Sequence, residues 1–69
     1  MTLEQAVKWC SDREVKIDIE GGRGVCYVAI RPIYTPSVWM SQKHNISPII
    51  AFLEAVEAAV VMSKEIDGE

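Results

Sequence analysis

The sequence predicts a small single α+β domain of order α-β-β-(β)-α, an antiparallel two- to three-stranded sheet with both helices packed on one face. Three observations predict it. Leu3, Ala6, Val7 and Cys10 recur at helical spacing. Residues Glu14 to Glu20 alternate strictly between apolar and polar. A long apolar-rich run then opens at Ser47-Pro48 and continues to about Lys64.

The first helix is expected over Leu3–Ser11. Thr2 and Gln5 have capping-box spacing, in which each side chain satisfies the other's free backbone amide. Trp9 falls at the edge of the apolar stripe, to pack at the rim or stay exposed. In the next run Val15, Ile17 and Ile19 point one way and Lys16, Asp18 and Glu20 the other, the mark of a half-buried strand. Gly21-Gly22-Arg23-Gly24 supplies the positive φ of a tight hairpin turn. The second strand, Val25–Arg31, turns Cys26, Val28 and Ile30 inward and Tyr27, Ala29 and Arg31 outward, and Pro32 ends it. Between Pro32 and Ser47 the signals are weakest. Residues 37–41, with Val38 and Met40 on one face, are read as a short third strand, and Gln42 to Ile46 as polar connection. Ser47 as N-cap and Pro48 as first helical residue start the last helix, Pro48–Lys64. Ile49, Phe52, Leu53, Val56 and Val60 form its core stripe. Ala51, Ala55, Ala58 and Met62 form a second stripe, which either receives the first helix or makes a homodimer seam. Residues 65–69 read as a frayed tail.

A chain of 69 residues is one domain. Such a chain buries only about 60% of its unfolded surface, and its core supplies about 3–5 kcal/mol without further support. Two cysteines and one histidine give neither a disulfide framework nor a metal ligand set, and no cofactor is expected. Oligomerisation or a larger partner is the expected support. No basic-then-apolar leader and no run of about 20 apolar residues is present, so no membrane role and a cytoplasmic location are expected.

Charge is distributed unevenly. Residues 1–20 carry −2, residues 21–53 carry +3 with no acid at all, and residues 54–69 carry −4. The acid-free segment also holds Tyr27, Tyr34 and Trp39. Burial accounts for Cys26, Val28 and Ile30, which leaves Arg31, Tyr34, Trp39, Met40, Lys43 and His44 as the candidate partner-binding residues; Trp, Tyr and Arg dominate protein interfaces. Catalytic alternatives are thin. Both cysteines sit on inward faces and the lone His44 in a polar stretch, so no nucleophile–base pair is evident and no enzyme is expected. The glycine turn joins two strands instead of opening a helix, so it is a hairpin before it is a phosphate loop. Lys43 and His44 ahead of Ser47-Pro48 could line an anion pocket, though capping explains the same residues.

The element order is similar to that of double-stranded RNA-binding domains. That family carries a lysine cluster at the start of its last helix, where this chain has Asn45-Ile46-Ser47-Pro48-Ile49, so the resemblance is one of topology. In size and composition the chain is similar to small phage-encoded proteins that block host defence, including anti-CRISPR proteins, which implies steric occlusion of a host protein by a homodimer. The alternative is capture of a nucleotide or nucleic acid by segment 21–47, with Arg23, Arg31 and Lys43 supplying charge and Tyr27, Tyr34 or Trp39 stacking on bases.

Overall fold

The structure is a computed structural model that describes residues 1–33 and 39–67. Five elements follow in chain order: α1 (Leu3–Arg13), β1 (Val15–Gly22), β2 (Val25–Pro32), β3 (Ser41–Asn45) and α2 (Pro48–Asp67). The three strands form one antiparallel sheet in the order β1-β2-β3. The expected α+β architecture is present.

Helix α1 starts as its sequence dictates. The Thr2 Oγ1 accepts from the Gln5 amide, and the Gln5 side chain accepts from the Thr2 amide. It runs two residues past Ser11 and stops at Glu14, which adopts a left-handed conformation with φ 52°. One residue thus reverses the chain from helix into β1. The hairpin after β1 is tighter than the glycines suggest. Gly21 and Gly22 are still paired in β1, and the turn is Arg23-Gly24, both at positive φ. Such a turn matches the right-handed twist of the flanking strands.

The third strand is not where apolar alternation places it. Residues 34–38 lie outside the described residues, Trp39 and Met40 precede the strand, and β3 is the polar run Ser41-Gln42-Lys43-His44-Asn45. An edge strand needs only one inward anchor, and here that anchor is a serine. Ser41 is fully buried and its Oγ donates to the Ala55 carbonyl at 2.6 Å.

That contact explains α2. The helix lies on β2 and β3, and α1 packs against α2. Its inward ridge is Ala51, Ala55, Ala59 and Ser63, one residue every four, with Val56 beside it. Small side chains let the helix backbone approach the sheet, close enough for Ser41 to reach a mid-helix carbonyl. The large residues Phe52, Leu53, Val60 and Met62 pack along the flanks, half-buried. Two expectations are corrected. Ile49, assigned to the core stripe, is exposed. Ala51 and Ala55, offered as a dimer seam, are 0% exposed within one chain and cannot meet a second copy; they face the sheet. Ala58 and Met62 are half-buried beside them. The helix also continues to Asp67, so residues 65–67 are its last turn instead of a frayed tail.

Ala6, Cys10, Val28, Ile30, Trp39, Ala51, Ala55, Val56 and Ala59 make the core. Trp39 joins it by leaning on Trp9, ring centroids 6.2 Å apart at 52°. The Arg13 guanidinium caps Trp9 from outside, 4.8 Å from the ring centroid. The tryptophan pair therefore extends the core around the end of α1.

Because α1 packs on α2, no helix among the described residues covers β1. Its inward stripe was expected to be used like the others. Only Val15 packs against the core, while Ile17 and Ile19 are 37% and 60% exposed.

Candidate functional site

Strand register decides which side chains share a surface, since successive residues alternate between faces. The helix side carries the rows Ile17–Ile30–Ser41, Ile19–Val28–Lys43 and Gly21–Cys26–Asn45. The opposite side, which no helix covers, carries Lys16–Arg31, Asp18–Ala29–Gln42 and Glu20–Tyr27–His44.

These rows divide the six candidate residues. Arg31 and His44 lie on the helix-free face and are exposed. Met40, exposed, stands one residue ahead of β3 at the Arg31 end of that face, and accepts a contact from the Gln42 Nε2 at 3.3 Å. Lys43 is exposed on the other side of the sheet, in the row of Val28. Tyr34 lies outside the described residues. Trp39 is corrected outright. At 5% exposure it is a core residue with no surface to offer. Its ring packs in the core beside Trp9.

The charge segregation seen along the chain disappears across the sheet. Antiparallel pairing brings the acids of β1 beside the acid-free β2, with Asp18 opposite Ala29 and Glu20 opposite Tyr27. Lys16 reaches Asp18 on its own strand at 3.9 Å. The helix-free face is thus mixed in sign. Lys16, Asp18, Glu20, Arg31 and His44 surround a half-buried Tyr27 and a buried Ala29. The outward residues of β1 and β2 follow from alternation alone. Gln42 and His44 were missed as members of this face because β3 carries no apolar alternation.

The other chemical candidates resolve into structure. Cys10 is buried, and loss of solvent pushes its thiol pKa up, away from the thiolate a nucleophile needs. Cys26 is opposite Asn45 on the helix side whereas His44 is on the other face, so they do not form a pair. At the start of α2 the polar groups are already engaged. Asn45 Oδ1 accepts from the Ser47 amide, its Nδ2 donates to Glu54 at 3.2 Å, and Ser47 Oγ accepts from the Ile50 amide. Capping and an acid fill the place where an anion pocket or an RNA-binding lysine cluster would be. Among the described residues no group of three or more His, Cys, Asp or Glu is placed to hold a metal, and no helix is long and apolar enough to cross a membrane.

Comparison with protein-family models, with curated proteins and with solved structures gives no match.

Proposed function

We infer that this chain is a non-catalytic protein-binding module that acts by covering a surface of another protein with the helix-free face of its sheet. The observation that carries the reading is the make-up of that face: Tyr27 and Arg31 project among charges of both signs, Lys16, Asp18, Glu20 and His44. Tyrosine and arginine bury large area at little entropic cost. Interspersed charges complement a protein surface, itself mixed, and steer its register. The fold displays the face on three hydrogen-bonded strands backed by a packed helix, so little ordering cost remains for binding. Occlusion of a host protein, the mode of small phage-encoded inhibitors, needs no more than this.

Capture of a nucleotide or nucleic acid loses support. Phosphate binding needs clustered cations, but Arg31 and Lys43 project from opposite faces and Arg23 sits in the distant hairpin turn. Asp18 and Glu20 share the face on which Tyr27 would stack a base.

A photo-crosslinking residue at position 42 tests the reading, with one at position 64 near the end of α2 as control. In cells that express the chain, position 42 should trap one protein of discrete mass, and Arg31→Glu should abolish the adduct. Equal trapping from both positions would count against the face. Amide shifts at Tyr27 and Arg31 on titration with short oligonucleotides would favour the nucleic-acid reading instead.

A further inference from the structure

The two edges of this sheet are built differently. Strand β3 is five residues long, polar throughout, and presents Lys43 on the helix side, the features that keep an edge from pairing with another chain. Strand β1 is eight residues long, and among the described residues nothing pairs with its outer edge. On its helix side Ile17 and Ile19 remain exposed. It contains no proline, and its charges, Lys16, Asp18 and Glu20, all lie on the helix-free side.

We propose that β1 pairs antiparallel with β1 of a second copy about a two-fold axis through Ile17, giving a continuous six-stranded sheet with all four helices on one side. An antiparallel two-fold contact keeps equivalent faces together, so it must pivot on a single residue. Four pivots leave most of β1 paired. A pivot on Asp18 sets Lys16 against Glu20 twice but Asp18 against its own copy, a like-charge pair that the Ile17 pivot lacks. A pivot on Ile19 sets Asp18 against Glu20. A pivot on Glu20 sets Glu20 against its own copy. The pivot on Ile17 sets Lys16 against Asp18 of the second copy twice, Val15 against Ile19 twice, and Ile17 against Ile17. Like charges directly opposite destabilise a strand pair, and opposite charges and β-branched pairs stabilise it. Glu14, turned away in its left-handed conformation, ends the strand before it would face Glu20 of the second copy.

The electrostatics of the single chain point the same way. Lys16 stands directly opposite Arg31 on β2, a like-charge pair. Asp18 of the same strand stands 3.9 Å from the Lys16 ammonium group. The second copy brings another Asp18 to the open side of Lys16. Ile17 and Ile19, left exposed beside the half-buried Val15, gain a partner in the same step. This contact runs along the β1 edge, and its charged pairs draw on Lys16 and Asp18 at the border of the helix-free face.

Sedimentation equilibrium of the full chain tests the register. The concentration series runs from about 1 µM to about 1 mM, the range suited to an edge contact at the small end of protein interfaces. The wild type should dimerise. Lys16→Asp and Asp18→Lys should each weaken the dimer at least about tenfold, since each turns two attractive cross-strand pairs repulsive. The double swap Lys16→Asp/Asp18→Lys should restore it to within about threefold. Circular dichroism should show every variant folded. A chain that stays monomeric throughout, a double swap that fails to restore the dimer, or hydrogen exchange that protects β3 on association instead of β1 would overturn the proposal.

Discussion

Trp39 lies in the acid-free run between Arg31 and Lys43 and is nonetheless buried against Trp9. Residue type and neighbours in sequence suggested an interface anchor, but the same large apolar ring closes a small core equally well. The two roles separate by experiment. Trp39→Ala should remove about 3–5 kcal/mol, close to the whole net stability of a domain this size, and leave the chain largely unfolded by thermal melt. Arg31→Glu, on an exposed face, should shift stability by no more than about 0.5 kcal/mol. Two other residues carry backbone strain that the sequence does not advertise. Glu14 and Arg23 hold left-handed conformations, at φ 52° and 53°, which cost a non-glycine residue about 1–2 kcal/mol. Glu14→Gly should therefore raise the denaturant midpoint, with a net gain of about 0.5–1 kcal/mol after the added freedom of the unfolded chain. Cys10, buried with its thiol pKa pushed up, should react with a thiol reagent only as the chain unfolds, whereas half-buried Cys26 should react first.

At the scale of elements, legibility tracked whether an element advertises itself through apolar spacing. Helix α1, strand β1 and strand β2 do so, and capping and alternation place them. The apolar stripes of α1 and β1 are only partly used: Ala6 and Cys10 are buried in α1, whereas Leu3, Val7, Ile17 and Ile19 are exposed. Strand β3 does not. It is held by strand pairing and by one buried serine bonded to Ala55, and neither leaves a mark in the sequence of a polar pentapeptide. The facing of α2 was misread for a related reason. Hydrophobic bulk suggests that Ile49, Phe52 and Leu53 point inward, but close approach to a sheet favours the smallest residues at the contact. Ala55→Leu should force the helix from the sheet and cost about 1–3 kcal/mol. Ser41→Ala should cost about 1 kcal/mol, the net worth of one hydrogen bond, because the change removes donor and hydroxyl oxygen together. Both are read from chemical denaturation.

For the whole molecule, the uneven charge along the chain proved to be an uneven order of strands. Pairing β1 with β2 lays Asp18 and Glu20 beside the acid-free segment and converts a basic stretch into a mixed-sign face. The outward residues of β1 and β2 were therefore legible from alternation. The rest depended on β3, whose register sends His44 to that face and Lys43 to the other. The covering of β1 was not legible at all, since only the three-dimensional placement of α1 against α2 decides it. The central claim is that function resides on the helix-free face and not on the acid-free segment as such. Affinity for the crosslinked partner should be measured for Tyr27→Ala and His44→Ala, on that face, and for Lys43→Ala, on the other. The account predicts that the first two weaken binding about tenfold or more, the effect of an interface anchor, while Lys43→Ala leaves it within about twofold. Loss of binding with Lys43→Ala and none with Tyr27→Ala or His44→Ala would contradict it.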